Sequence, residues 1–183
     1  RSILAVALHQ PTSEENEDPI VAILDSLCHH ALLHQDEGGR YTIHTLLRAY
    51  AAEQLTALTE VEQAATQALS QVTQRYRRYY LAFVGQATVR GWYTRAALMP
   101  IQRDLANIRQ AWQMTTAGGD LAGLALGWRG LWHVYRSNAL FQEGEDLFRA
   151  ALVGVQAATP STPDALLLEA QLQVAHAAFL NAI

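Results

Sequence analysis

Hydrophobic residues three or four positions apart mark a first helix near the start of the chain. The spacing predicts one buried face, and Pro19 suits the first helical position because its missing N–H needs no partner there. We therefore expect a helix from Pro19 to about His30. Its apolar stripe is formed by Ile20, Ile23, Leu24 and Leu27.

A short alternating pattern follows this helix. The segments "ALLH" (31–34) and "RYTIH" (40–44) each favour a strand, and the glycines of "QDEGG" between them favour a turn. From Thr45 onward the apolar spacing becomes helical again. Helix, hairpin and helix in this order are typical of a winged-helix-like unit, which we place at residues 1–58.

The rest of the chain shows helical periodicity and no strand pattern. The stretch "VGQATVRGW" (84–92) is expected to break a long helix that runs from about Glu60 to Phe83. Asp120 follows two glycines and is expected to cap the helix that begins after them. The remaining helices are predicted at about residues 94–116, 121–138, 141–157 and 164–182.

A helix-pair pattern occupies the last third of the chain. Its large and small residues have the offsets of a tetratricopeptide repeat, and they are Trp128, Leu131, Tyr135, Phe148 and Ala151. Trp132 departs from the pattern, which favours a small residue at that position. We expect a mainly α fold in which the winged-helix-like unit is followed by antiparallel helix pairs. These pairs comprise a helical linker pair at 59–117 and a truncated, tetratricopeptide-like superhelix at 118–183.

Composition narrows the classes of function. The net charge of −4 and the pI near 5.9 weigh against a nucleic-acid-binding surface. Every basic residue other than histidine is an arginine, so the chain lacks the lysine that a P-loop requires. The single cysteine, Cys28, forms no disulfide within the chain, and no apolar run has membrane-spanning length. We expect a cytoplasmic protein that is not itself an enzyme.

His44 is the main candidate for a binding residue. Alternation in "RYTIH" places Tyr41 and Ile43 on the core side and His44 on the polar side, together with Arg40. A strand-to-helix junction exposes backbone N–H groups, and such a corner suits a phosphate. The alternative is that His44 only donates a hydrogen bond to a carbonyl at the end of the hairpin.

Two other groups of residues invite a binding interpretation. Cys28, His29, His30 and His34 could suggest a metal site, but a helix end near His30 spoils the ligand geometry, and we predict no metal. The basic and aromatic stretch "RYRRYY" (75–80) could bind single-stranded nucleic acid. We favour the interpretation that Tyr76, Tyr80 and Phe83 belong to the core and that the arginines are solvated or paired with neighbouring acids.

The sequence argues against DNA reading and against catalysis. The outward residues of the first helix are expected to be Asp25, Ser26, His29 and His30, which lack the arginines that read base edges. Glu143, Glu145 and Asp146 begin a helix, where its dipole favours negative charge. We predict no catalytic residue.

One segment resembles a known family. "RYTIHTLLRAYAAEQL" (40–55) is similar to the end of the winged-helix domain of STAND-class signalling NTPases. These include NB-ARC proteins and the SARP- and LuxR-type multidomain transcriptional regulators. The later segments "RRYYLAF", "LANIRQAW", "AGGD" and "FQEGEDLFRAAL" are similar to helices that follow in those bacterial regulators, so the resemblance covers about residues 18–152.

The resemblance implies a C-terminal fragment of a larger protein whose NTPase core precedes Arg1. By position, His44 would contact the diphosphate of bound ADP in that parent protein, with Arg40 as a weaker candidate. Thr45 stands where the family has an aspartate, and it would cap the next helix in its place. We expect no cofactor in this chain alone and ADP or ATP in the parent.

The function implied is that of a non-catalytic sensor region. It would couple the binding of a protein, a peptide or a small effector on the helical array to the nucleotide state of the NTPase core. Neither nucleic acid nor membrane is expected as a direct partner of this chain. The alternative function is a stand-alone helical-repeat scaffold for protein–protein interaction.

Overall fold

A computed structural model describes residues 19–89, 95–158 and 162–183 of the chain. The expected mainly α fold with a small hairpin and helix pairs is confirmed. The chain divides into two compact units, residues 1–76 and 77–183. In chain order the elements are α1 (Pro19–His29), β1 (His34–Gln35), β2 (Tyr41–Thr42), α2 (Thr45–Val61), α3 (Gln63–Val89), α4 (Arg95–Ala117), α5 (Leu121–Ser137), α6 (Phe141–Ala157) and α7 (Pro163–Leu180).

The end of α1 differs from the prediction. Ala31 has a positive φ of 55°, and the N–H groups of Leu32 and Leu33 both donate to the carbonyl of Leu27. These bonds satisfy the Leu27 carbonyl, which the helix end would otherwise leave unpaired. Residues 31–33 therefore complete the helix cap, and the predicted strand at 31–34 is wrong except at His34.

The hairpin is short and antiparallel. His34 pairs with Thr42 and Gln35 pairs with Tyr41, so the strand predicted at 40–44 is reduced to two residues. Asp36 holds the turn, because its Oδ1 accepts hydrogen bonds from two backbone N–H groups, each at 2.9 Å. Since the strand ends at Thr42, the alternation stops there and Ile43 is 38% exposed, not buried as predicted.

Helix α3 extends past the predicted break. It continues through Gly85 to Val89, whereas the sequence pattern placed its end near Phe83. An ideal Cβ on Gly85 would overlap the carbonyl oxygen of Leu126, and one on Gly130 would overlap the carbonyl oxygen of Val84. Gly85 therefore permits a close crossing of α3 and α5 and does not end the helix.

Aromatic side chains form the centre of the second unit. The rings of Trp112 and Phe148 have centroids 5.4 Å apart, and the rings of Phe148 and Phe179 are 5.5 Å apart. The indole N–H of Trp112 donates to the carbonyl of Leu147 at 3.3 Å. These rings join α4, α6 and α7 into one core, and all three are fully buried.

The turns between the last helices follow local chemistry. Asp120 caps α5 as predicted, with its Oδ1 accepting from the N–H of Gly123 at 2.9 Å. Gly119 precedes it with a φ of 63°, whereas Ala139, in the turn between α5 and α6, adopts a φ of 54° without the freedom of a glycine. Helix α7 buries one face, while Leu167 and Val174 on its outer face are more than half exposed.

Candidate functional site

The junction between β2 and α2 positions His44. Its backbone is extended (φ −61°, ψ 140°), and its carbonyl accepts the first helical hydrogen bond, from the N–H of Arg48 at 2.9 Å. Its Nδ1 accepts a hydrogen bond from the N–H of Leu46 at 3.3 Å. His44 is therefore the N-cap of α2. The prediction that Thr45 caps this helix is wrong, because Thr45 is already its first helical residue.

The same contact defines what the His44 ring can do. In the described part of the chain its hydrogen bond goes to a backbone N–H, and not to a carbonyl as the alternative interpretation expected. A neutral ring whose Nδ1 accepts carries its proton on Nε2. His44 is exposed, so this Nε2–H is a donor at the surface beside the first turn of α2.

Arg40 closes the hairpin turn on the other side of β2. Its N–H donates to Oδ1 of Asp36, and its carbonyl accepts from the N–H of Asp36, each at 2.9 Å. The backbone N–H of Arg40 is the main reason that the pKa of the Asp36 carboxyl lies below its ordinary value. Arg40 is half-buried, so the structure fixes its backbone in the turn that leads to His44.

The other histidines of this unit lie near the end of α1. The helix ends at His29, close to the predicted His30. Nδ1 of His30 lies 2.8 Å from the carbonyl oxygen of Ser26, and the His29 and His30 rings meet edge to face at 5.5 Å. Among the described residues, no three histidine, cysteine, aspartate or glutamate side chains are grouped as a metal site. Asp25, Ser26, His29 and His30 are exposed, as predicted.

The "RYRRYY" stretch lies on α3. Tyr76 and Tyr80 are buried, which confirms the prediction that they are core residues. Tyr79 is 38% exposed and stacks on Phe83 at 6.4 Å with an interplanar angle of 4°. Arg77 is partly buried, and its Nη1 donates to the carbonyl of Met114 at 3.4 Å. This stretch thus contributes mainly to packing.

A polar network joins the three middle helices of the second unit. Nε of Arg109 on α4 donates to the Tyr135 hydroxyl on α5 at 3.0 Å, and the same guanidinium pairs with Glu143 on α6. Burial raises the pKa of Tyr135, and the hydrogen bond from Arg109 only partly offsets this effect. The phenol therefore stays neutral, and Glu143 has an ion-pair partner in addition to the helix dipole.

A second network, which the sequence analysis missed, joins α6 to α7. Glu145 is only 7% exposed. Its Oε1 lies 2.8 Å from Nε2 of His176 and 3.1 Å from Nε of Arg149. The only sequence signal is positional, because Glu145 lies three residues before the buried Phe148 and His176 three before the buried Phe179. The helix dipole alone therefore does not explain why an acidic residue stands at position 145, because Glu145 also links α6 to α7.

Helix α5 carries a basic and aromatic face. The guanidinium of Arg129 lies over the Trp128 ring, 5.5 Å from its centroid, and that of Arg136 lies over the Trp132 ring at 5.0 Å. Both arginines are exposed and both tryptophans are half-buried. Trp132, the departure from the repeat pattern, therefore serves as a platform for Arg136. We name these four residues the α5 Arg–Trp face.

No protein-family model matches the chain, and no curated protein or solved structure matches it either. None of the described helices is both long enough and apolar enough to cross a membrane.

Proposed function

We propose that this chain is the non-catalytic regulatory region of a STAND-type ATPase that acts as a transcriptional regulator. It couples the binding of a protein, a peptide or a small effector on the helical array to the nucleotide state of an NTPase core in the parent protein. The observation that carries the proposal is the position of His44, which caps α2 directly after the hairpin in the segment "RYTIHTLLRAYAAEQL".

The junction offers a suitable donor set for a phosphate. The first turn of a helix has N–H groups without helical partners, and the helix dipole adds partial positive charge there. Among the residues that the structure describes, the His44 ring has one hydrogen bond, from the N–H of Leu46 to Nδ1, and the ring is exposed, which leaves its Nε2–H for an anion. In the parent protein, His44 would contact the diphosphate of ADP, and Arg40 would add a guanidinium.

The chain alone supplies only part of such a site. It has no P-loop lysine, so the principal phosphate contacts would come from the NTPase core, and we expect no strong ADP binding by this chain alone. Thr45 in the aspartate position of the family adds no charge. Coupling further requires that the effector bind the ADP and ATP states with unequal affinity.

The test uses two substitutions at one position in the full-length protein. His44→Ala removes both the ring and the helix cap, whereas His44→Asn keeps a good N-cap but removes the imidazole. If the ring contacts the diphosphate, both variants release a fluorescent ADP analogue about tenfold faster, as expected for the loss of one hydrogen bond to a charged group. Stopped-flow fluorescence measures this release.

The matched control is His29→Asn, which changes an exposed histidine at the end of α1. It should leave ADP release unchanged. Circular dichroism separates capping from nucleotide contact, because only His44→Ala should reduce helix content. Unchanged ADP release and basal activity in His44→Asn would rule out the sensor role.

A stand-alone protein-binding scaffold is the second candidate. It is favoured by the compactness of residues 77–183 as a unit of their own and by the exposed arginines of the α5 Arg–Trp face. The coding sequence upstream of Arg1 distinguishes the two functions. A P-loop encoded there supports the regulator, and its absence leaves the scaffold.

A further inference from the structure

The two arginines of the α5 Arg–Trp face differ from Arg109 and Arg149 in the same helical array. Arg109 pairs with Glu143, and Arg149 pairs with Glu145 and Asp146. Within the described ranges, Arg129 and Arg136 contact the Trp128 and Trp132 rings and no carboxylate. Helix α5 itself contains no acidic residue. The face is therefore positive on a chain whose net charge is −4.

Stacking prepares these guanidinium groups for a ligand. A guanidinium that lies over a ring can stack by its flat face, which leaves the N–H donors in its plane available to a ligand. Such a fork matches a carboxylate, which can accept two parallel hydrogen bonds. The ring also restricts the arginine side chain before binding, so less conformational entropy is lost when the ligand arrives.

The spacing of the arginines constrains the ligand. Arg129 and Arg136 are seven residues apart on α5, which corresponds to about 10 Å along the helix axis. A polyproline II segment advances about 9 Å in three residues and presents every third side chain on the same side. The rise between the backbone positions of the two arginines is therefore close to the rise between two acidic residues at positions i and i+3 of such a segment.

We propose that the α5 Arg–Trp face binds an extended acidic peptide segment of a partner protein. This proposal names the class of partner that the helical array receives, and it rests on the proposed function for the role of that partner as an effector. Each of two acidic side chains accepts hydrogen bonds from one arginine, and apolar atoms of the peptide lie against the half-buried tryptophans.

Single-stranded nucleic acid fits this face less well. Binding of that kind depends on bases that stack on open aromatic faces in a positively charged groove. Here a guanidinium already covers a face of each ring, at 5.5 Å for Trp128 and 5.0 Å for Trp132. The net charge of −4 also opposes a polyanion more strongly than a short peptide with two or three carboxylates.

Fluorescence anisotropy of a labelled peptide that repeats Glu-Pro-Pro three times tests the proposal on the 183-residue chain. The paired substitution Arg129→Gln and Arg136→Gln should weaken binding at least about tenfold, because each arginine donates charge-assisted hydrogen bonds. A peptide that repeats Gln-Pro-Pro should bind the wild-type protein at least as weakly as the Glu-Pro-Pro peptide binds the doubly substituted protein. Since both arginines are exposed, the fold should persist, and circular dichroism checks this.

The matched control is Arg103→Gln, which removes one exposed arginine from α4 and should leave peptide affinity unchanged. Equal binding by the wild type and the doubly substituted protein would overturn the proposal, as would equal binding of the two peptides. Absence of binding at millimolar peptide would overturn it as well. Tighter binding of an oligothymidine than of the acidic peptide would assign the face to nucleic acid instead.

The result is independent of the nucleotide test at His44. Peptide binding is measured without ADP, and ADP release is measured without peptide. If the acidic peptide does not bind but the His44 variants release ADP faster, only the acidic-peptide partner is ruled out. If the peptide binds but the His44 variants release ADP at the wild-type rate, the scaffold function is favoured and the acidic-peptide site is retained.

Discussion

Nε2 of His176 lies 2.8 Å from Oε1 of Glu145, a buried carboxylate that links α7 to α6. Nε of Arg149 lies 3.1 Å from the same oxygen. A carboxylate is tolerated in an apolar interior only when its lone pairs have hydrogen-bond partners. His176 and Arg149 supply those partners from two helices, so the network fixes how α7 docks.

Replacing His176 by alanine should destabilise the second unit. The substitution leaves Glu145 with Arg149 alone and should lower the free energy of unfolding by about 2 kcal/mol, measured by urea denaturation. In the doubly substituted protein His176→Ala, Glu145→Ala, the loss should be smaller than the sum of the two single losses. Additive losses would contradict a direct interaction between the two side chains.

Replacing Gly130 by alanine should be more damaging than its size suggests. A Cβ there would overlap the carbonyl oxygen of Val84, which is a backbone atom and cannot move without shifting α3. We expect a loss of about 3 kcal/mol in the free energy of unfolding. The control is Gly154→Ala on α6, where the nearest atom lies at 3.5 Å, and alanine should stabilise that helix by up to about 1 kcal/mol.

Replacing Ala139 by glycine should stabilise the turn between α5 and α6. Its φ of 54° strains any residue with a Cβ, and glycine removes that strain. We expect a gain of about 1 kcal/mol, measured as a higher midpoint of urea unfolding. Ala158→Gly is the matched control, because Ala158 has an ordinary φ of −74° and glycine should bring no gain there. A loss at Ala139 would show that its φ is not strained.

The hairpin turn should loosen in acid. The backbone N–H of Arg40 holds the pKa of Asp36 below its ordinary value of 3.8 in the folded turn. A carboxyl with a lowered folded pKa stabilises the turn above the ordinary value and loses that effect as the pH falls through the folded pKa. Amide NMR signals of Gly38 and Arg40 should therefore titrate with a midpoint below 3.8. Asp36→Asn should abolish this titration, and a midpoint above 3.8 would contradict the hydrogen bonds to the turn.

Most of the helices could be placed from the chain alone. Their apolar periodicity, the Asp120 cap and the glycines before it are local signals, and α4 to α7 begin and end within about two residues of the predicted positions. The core tyrosines Tyr76 and Tyr80 were also found from spacing. These features follow from interactions among residues that are close in sequence.

Part of the candidate site could also be predicted from residues that are close in sequence. The sequence located His44 at a strand-to-helix junction and on an exposed surface, and the structure confirms both. It did not determine which of His44 and Thr45 caps α2, because a difference of one residue depends on the backbone angles at the junction. The role of His44 in nucleotide binding stays a prediction.

Contacts between distant helices were decided only by the tertiary structure. Glu145 and His176 are 31 positions apart, and nothing in either helix alone shows that they meet. The stretch "VGQATVRGW" predicted the end of a helix, yet α3 continues to Val89, and Gly85 within it admits the backbone of α5. Local spacing determines which residues share a face of a helix, whereas the partner packed against that face is selected by shape and burial over the whole unit.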